Sequence, residues 1–245
     1  MPLVSYTPSE HQIWNKLYQR MLPKWERHGT QVFLHGLEKL SLNEAAIPQL
    51  PDLNKRLQPL TGFQAIPVEG YIGAIDFFAH LKQRKFPTVT RVRNETQMDY
   101  LPEPDIFHDV AGHVPMHTDP TFAAVLQRFG ALPHSALPHD EALARFFWFT
   151  VEFGLIEERG HLKAYGSGLM SSFGELDYAL TSPNVDRRPF QLAEVMATPF
   201  EIDHFQNRLY VIESFDQLYD AVAELESSLP LVSGKKNTST APNKK

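Results

Sequence analysis

Two histidines five residues apart, His108 and His113, lie beside the carboxylates Asp105 and Asp109 in the stretch Pro102-Glu103-Pro104-Asp105-Ile106-Phe107-His108-Asp109-Val110-Ala111-Gly112-His113-Val114-Pro115. A further carboxylate, Glu152, is the one acid in the apolar run Phe146-Phe147-Trp148-Phe149-Thr150-Val151-Glu152-Phe153. Two neutral imidazoles and one carboxylate on one face of a metal ion leave three positions of an octahedral shell open. That set suits non-haem Fe(II) working on dioxygen, because the open positions take water, dioxygen and a second reactant together. His-x4-His alone is weak evidence, since two hydrogen-bonded core histidines would account for it. Glu152 adds weight: a buried carboxylate is costly unless paired, protonated or bound to metal, which leaves a metal or a buried arginine as its partner.

The spacing of five constrains the backbone. On a regular helix, positions i and i+5 diverge by about 140°, so both imidazoles cannot reach one ion from an unbroken α-helix. The expectation is a helix end between them, with Gly112 leaving the helix, Pro115 preventing its return, and His113 turned back toward His108. Asp105, three residues before His108, can accept the second ring N–H and fix the tautomer, or serve as a helix-start charge. His117 follows His113 by four and offers a rival zinc pair, which Pro115 and Asp119-Pro120 argue against by favouring a loop.

The elements that must carry these residues are mostly helical. Thr7-Pro8-Ser9-Glu10 is a capping box, and Ile13, Trp14, Leu17, Tyr18 and Met21 come after it at helical spacing, with Pro23 expected to kink or end the helix. Val32 to Leu40 reads as a second helix, and prolines 48, 51 and 59 punctuate the segment after it. Residues 62–68 read as a short strand, Phe77, Phe78 and Leu81 as a helix face, and Phe86 to Arg93 as a strand. Asp119-Pro120 opens a helix that Gly130 can end. The run from about Asp140 to Glu158 reads as a central buried helix. Leu162 to Ala164 reads as a strand, Gly166-Ser167-Gly168 as a turn, Ser171 to Leu180 as a helix, Arg208 to Glu213 as a strand, and Ser214 onward as a final amphipathic helix. The fold class is mainly α with a small β-sheet: one compact catalytic domain over residues 1–233, then a disordered Lys/Asn/Ser/Thr tail at 234–245.

With 245 residues, 42% of them hydrophobic, and a net charge of −6, the chain supports one large core and offers no basic surface for nucleic acid. No cysteine is present, which excludes disulfides, iron–sulfur clusters and thiolate zinc sites, so any metal must use His, Asp or Glu. No signal-like N-terminus and no run near the ~18 apolar residues of a membrane span are visible, so a cytoplasmic protein without membrane partners is expected.

The same stretches carry a resemblance. The Pro102 to Pro115 segment, then Trp148-Phe149-Thr150-Val151-Glu152-Phe153-Gly154, Lys163-Ala164-Tyr165-Gly166 and Ser171-Ser172-Phe173-Gly174-Glu175-Leu176 are similar to the pterin-dependent aromatic amino acid hydroxylases, in the family's order from about Tyr6 to Pro230. The likeness is greatest to the small bacterial phenylalanine 4-hydroxylases. It implies Fe(II) held by His108, His113 and Glu152, and a tetrahydropterin, tetrahydrobiopterin or a related bacterial pterin, as electron donor. The implied reaction is hydroxylation of L-phenylalanine to L-tyrosine by dioxygen, a step in phenylalanine catabolism. Positions matching the family's pterin site are Gly70, Ile72, Phe77, Phe147 and Asp109, where the family has Glu. For the substrate, Arg93 matches the arginine that binds the carboxylate, Asp105 the acid that steadies it, Pro104 and Trp148 the walls of the ring pocket, and Ser171 a site serine.

The chain departs from the animal members of this family in having Leu101 in place of Thr and Asn94 in place of His. No heptads of a C-terminal coiled coil are visible, so a monomer without the animal members' regulatory apparatus is expected. Ile202 falls where the tyrosine enzymes carry an acid. Two rivals are weaker. A 2-oxoglutarate-dependent oxygenase uses the same ligands but needs more strands than this chain offers, and a catalytically dead binding protein would have no need of an intact His108, His113 and Glu152.

Overall fold

Thr7 caps the first helix of the computed structural model, which describes residues 3–70, 72–99, 103–132 and 139–228. Its hydroxyl accepts the Glu10 amide hydrogen at 3.3 Å while the Glu10 carboxylate accepts the Thr7 amide hydrogen at 2.7 Å, closing the capping box. Helix α1 (Pro8–His28) runs through Pro23 without ending there. Trp14, Tyr18, Met21 and Trp25, buried along one face, hold it across the missing hydrogen bond. Helix α2 (Gln31–Leu40) comes next, as expected. Helix α3 (Leu50–Thr61) is one that the prolines hid. Pro51 occupies its first turn, where a missing N–H costs little, Leu50, Leu53 and Leu57 share its buried side, and Gly62 ends it at φ 80°.

Strands β1 (Gln64–Val68) and β2 (Lys85–Val89) pair in parallel around helix α4 (Ala74–Lys82), Gln64 opposite Lys85. β2 stops at Val89, short of the expected Arg93. Helix α5 (Pro120–Ala131) starts where the Asp119 carboxylate caps the Phe122 amide, and α6 spans His139–Phe147. The helix expected to reach Glu158 ends at Glu152, and residues 155–158 instead form β3 (Leu155–Glu158), hairpinned to β4 (His161–Ala164). The expected turn at Gly166-Ser167-Gly168 is the start of helix α7 (Ser167–Ser171), and a break at Ser172 separates it from α8 (Phe173–Thr181). Strand β5 (Asp186–Pro189), helix α9 (Leu192–Ala197), strand β6 (Arg208–Ile212) and helix α10 (Phe215–Ser228) complete the order. The second sheet runs β4-β3-β6-β5, parallel except for the β3–β4 hairpin. The fold is therefore mainly helical with small sheets.

One continuous apolar core joins these layers. Its link to the histidine segment is Phe107, whose ring lies edge-on to Trp14 at 5.3 Å and stacks on Trp25 at 6.1 Å. Trp25 in turn donates its indole N–H to the Met170 carbonyl of α7 at 2.7 Å. On the far side, Gly36 of α2 presses on Pro115. A Cβ there would stand 2.2 Å from the Pro115 carbonyl oxygen, so only glycine allows the approach. Among the described residues, no helix is long and apolar enough to cross a membrane. Leu101, Pro102 and the tail from Gly234 lie outside the described residues.

Candidate active site

His108 and His113 both sit on one π-helix, Phe107–His113, and the expected helix end between them is absent. A π-helix closes its hydrogen bonds from i to i+5, so residues five apart come to lie over one another, as residues four apart nearly do in an α-helix. The physical problem posed by the spacing is thus solved by widening the turn. The imidazoles stand perpendicular with centroids 4.9 Å apart, and their Nε2 atoms are separated by 3.2 Å. Gly112 has no left-handed backbone. A Cβ there would stand 3.0 Å from the Ser167 carbonyl oxygen and 3.3 Å from the Ser171 Cβ, a tight fit where α7 packs against the π-helix.

Glu152 arrives on a second π-helix, Trp148–Glu152, which continues α6 and is closed by the Phe153 amide donating to the Trp148 carbonyl at 2.8 Å. Its Oε1 lies 3.2 Å from His113 Nε2 and its Oε2 lies 3.8 Å from His108 Nε2. Among the described residues the side chains paired with Glu152 are these imidazoles and Ser167, so the alternative of a buried arginine falls away. Gly166 lets the chain after β4 close on this end, since a Cβ would approach the Glu152 carbonyl oxygen to 2.4 Å.

Hydrogen bonds orient these groups. Ser171 Oγ donates to the Ser167 carbonyl at 2.8 Å, and with its one hydrogen committed it accepts from His108 Nδ1, also at 2.8 Å. His108 is therefore the Nδ1–H tautomer, with the Nε2 lone pair facing His113 and Glu152. Ser167 Oγ donates to Glu152 Oε2 at 2.8 Å. Asp105 does not touch the His108 ring. Its carboxylate accepts the His108 backbone N–H at 3.0 Å, which is the helix-start role.

Burial pushes the His108 imidazole down to about 4, so it stays neutral. For Glu152 burial acts upward but is outweighed by the His113 and His108 imidazoles and by Ser167, which together bring it down to about 2. Asp109 also brings an oxygen within 4.8 Å of the two histidines. It is a poorer ligand, because its Oδ2 already accepts the Val89 amide at 2.6 Å and burial pushes its carboxyl up to about 7. His117 sits in a one-turn 3₁₀ helix, fully buried among Phe63, Phe86 and Phe122, and joins no cluster of possible ligands among the described residues, which removes the zinc rival.

Two imidazole nitrogens and a carboxylate thus converge. Ligand atoms about 2.1 Å from one ion and at right angles stand about 3.0 Å apart, close to the 3.2 Å between the two Nε2 atoms and the 3.2 Å from His113 Nε2 to Glu152 Oε1, while the second carboxylate oxygen, Oε2, lies 3.8 Å from His108 Nε2. The residues present fit a divalent cation held on one face.

Around this centre, Arg93 is 4% exposed and not the surface charge that a strand end suggests. Its Nε and Nη2 donate to the two Asp105 oxygens, each at 2.9 Å, in a bidentate pair that keeps Asp105 low against its burial. Three of its five N–H hydrogens lie outside that pair. Phe77 and Phe147 are half-buried and meet perpendicular at 5.7 Å. Phe86, which sequence reasoning places only in a strand, connects Phe77 at 6.0 Å to His113 at 4.8 Å. Gly70 and Ile72 lie on the loop before α4, with open space where a Gly70 Cβ would be. Pro104 is half-buried in the segment leading to Asp105, and its carbonyl accepts from Arg91. Trp148 stacks on Phe200 at 4.4 Å, while Ile202 is 72% exposed. Ser167 escapes sequence reasoning because its place between two glycines reads as a turn; its spacing of four from Ser171 is the signal that points to it.

Residues 1–231 match the family model described as biopterin-dependent aromatic amino acid hydroxylase. The chain belongs to this family. As a hydroxylase it is 42% identical over 217 residues to phenylalanine-4-hydroxylase of Vibrio cholerae, covering 88% of this chain and 75% of that protein. The structure of Chromobacterium violaceum phenylalanine hydroxylase with bound iron(III) and oxidised 7,8-dihydrobiopterin superposes with a TM-score of 0.86 at 38% identity, over 92% of this hydroxylase and 85% of that chain. Phenylalanine hydroxylase from Legionella pneumophila gives a TM-score of 0.86 at 38% identity, over 93% and 95% of the two chains.

Proposed function

We propose that this hydroxylase is a phenylalanine 4-monooxygenase that converts L-phenylalanine to L-tyrosine with dioxygen and a tetrahydropterin at non-haem Fe(II) bound by His108, His113 and Glu152. The observation that carries it is the convergence of two imidazole Nε2 atoms and one carboxylate on a single point of the interior. The names of the relatives supply the substrate, and the iron and pterin in the Chromobacterium structure supply the cofactors. Iron held by His108, His113 and Glu152, together with a reduced pterin, would supply the activation of dioxygen for ring hydroxylation.

This chain's residues do the positioning. Arg93, its plane fixed by Asp105, directs its remaining N–H groups at the amino acid carboxylate. Trp148 and Pro104 wall the ring, and Phe77 with Phe147 offers aromatic surface to the pterin, beside Gly70 and Ile72. Asp109 borders the pterin side, and Ser171 holds the His108 tautomer. Residues 1–233 make up the catalytic domain. A cytoplasmic monomer fits the acidic net charge and the absence of heptads in the final helix. Tyrosine formation from phenylalanine that requires both Fe(II) and tetrahydropterin, by a species eluting near 28 kDa, is the expected result. Phenylalanine turnover without added pterin or iron, or none with both, overturns the proposal.

A further inference from the structure

The Trp148 indole packs on two rings, Phe200 at 4.4 Å and nearly parallel, and Phe153 at 4.5 Å and tilted by 36°. Stacking fixes the plane of an aromatic ring but leaves it free to slide within that plane. The atom that removes this freedom is Gln206 Oε1, which accepts the indole Nε1–H at 3.1 Å. The amide cannot be turned around, because Gln206 Nε2 spends its two hydrogens on the Glu201 and His204 carbonyls at 2.8 and 2.9 Å. Gln206 is itself anchored: its backbone N–H donates at 2.8 Å to Glu175 Oε1, and both residues are buried.

The same side chain holds the segment 198–207. At one end Thr198 bonds to the Glu194 carbonyl and the Tyr210 hydroxyl, at the other Gln206 gathers two carbonyls of the segment, and between them Ile202 stands exposed. Gln206 thus ties the position of the segment to the position of the indole.

We propose that Gln206 is a positioning residue that sets substrate preference, holding the Trp148 indole in one place as the ring wall while closing the 198–207 segment, with Glu175 as its anchor. This rests on the reading of Trp148 as a wall of the phenylalanine pocket. A ring that cannot slide rejects a larger indole substrate; a ring freed to slide yields space to it. The role belongs to the substrate alone, since the contacts described for Gln206 include no histidine ligand and no ring on the pterin side.

The test is Gln206→Met, of nearly the same length without N–H or C=O groups, in the iron-loaded full chain, with Gln206→Glu as a second variant that keeps an acceptor for the indole but loses both donors to the segment. In Gln206→Met the phenylalanine KM is expected to rise about three- to tenfold, and the phenylalanine-to-tryptophan ratio of kcat/KM to fall by a similar factor. Pterin KM and iron content should stay within about twofold, and Gln206→Glu, without donors for the Glu201 and His204 carbonyls, should also lower the ratio. Trp148 emission is read in parallel, by acrylamide quenching corrected with Trp148→Phe. Trp14 and Trp25 are buried and contribute little to quenching, so quenching should rise in Gln206→Met. Should the Met variant fail to fold, Gln206→Asn, one methylene short of the indole, carries the same expectation. A folded, active variant with an unchanged substrate ratio and unchanged quenching overturns the role of Gln206. Wild-type protein that hydroxylates no aromatic amino acid overturns the functional reading, and the quenching result then still decides whether Gln206 fixes the indole.

Discussion

Two interior glutamates, Glu152 of the metal centre and Glu175, which anchors the Gln206 backbone, carry opposite electrostatic signatures. Glu152 faces two imidazoles and a serine hydroxyl, and is held down at about 2. Glu175 takes the Gln206 backbone N–H, and burial pushes it up to about 7. Burial acts upward on both, so the partners decide the outcome. A carboxylate kept charged in an apolar helix, with imidazole nitrogens for neighbours, is built for a cation. A carboxyl near neutrality that accepts from a loop amide is built to hold that loop. The metal centre is therefore prepared by polar contacts before any ligand arrives, while the Trp148 wall depends on stacked rings and the single polar contact from Gln206.

The largest expected effect breaks this difference at Glu152. Glu152→Gln removes the anionic ligand, so iron affinity should fall by more than the about 10–100-fold that outer partners are worth, and hydroxylation with it. The melting temperature of the metal-free protein should fall little, because a neutral amide is easier to bury than a carboxylate. Iron quantified per chain after desalting checks it, and stoichiometric iron with full activity would remove Glu152 from the metal set. Next is Ser171→Ala, which frees the His108 tautomer. Iron affinity should drop about 10–100-fold while phenylalanine KM, measured at saturating iron, moves less. A variant that binds iron as tightly as the wild type would mean that His108 needs no such partner.

Phe77→Ala sharpens the comparison from a region that touches neither glutamate. Pterin KM should rise about three- to tenfold for the loss of one stacking ring, with iron content unchanged. Equal rises in pterin and phenylalanine KM would make Phe77 ordinary core. The smallest effect concerns Glu175. Its carboxyl is raised from an ordinary 4.5 to about 7, so the folded state binds the proton more tightly than the unfolded chain. That contribution to stability is complete below pH 4.5 and is lost as the pH rises through 7. Glu175→Gln keeps an acceptor for the Gln206 amide and removes the titration. Denaturant unfolding at several pH values should therefore show a shallower decline between pH 4.5 and 7 than in the wild type, and identical slopes would place the titration elsewhere.

Much of this organisation is legible in the sequence where a local rule and a tertiary demand agree. The Thr7 capping box, the helix opened by Asp119-Pro120 and the short β1 strand come from chemistry within a few residues, and the structure has them. The rules fail where packing overrides them. Pro23 does not stop α1, because the buried tryptophans on either side bind the helix to the core, and Pro51 starts α3 where prolines read as punctuation. Strand β5 has the sequence Asp-Arg-Arg-Pro, with no apolar alternation, and exists because Arg208 to Val211 lie alongside it. In the candidate site, His108, His113 and Glu152 are visible as residue types with the right chemistry. The wide helical turn that joins them is not, since spacing alone admits either a broken helix or a π-helix. Arg93 looks like a surface charge until Asp105 meets both of its donors, a pairing across 12 residues that periodicity cannot express.

The π-helix at Phe107–His113 stores the geometry of the site as a chain length. Asp105 fixes where the helix starts by capping the His108 amide, and Pro115 is fixed at the other end by its contact with Gly36. Between those two posts the backbone holds one residue more than an α-helix would wind into the same turn. Removing Ala111 would bring the histidines to a spacing of four, which an α-helix accepts on one face, and would at the same time turn Val114 and Pro115 by about 100° away from their seats in the core. A substitution in this segment leaves the register of the backbone in place, but an insertion or deletion shifts it, so the segment is a ruler whose marks are the two imidazoles.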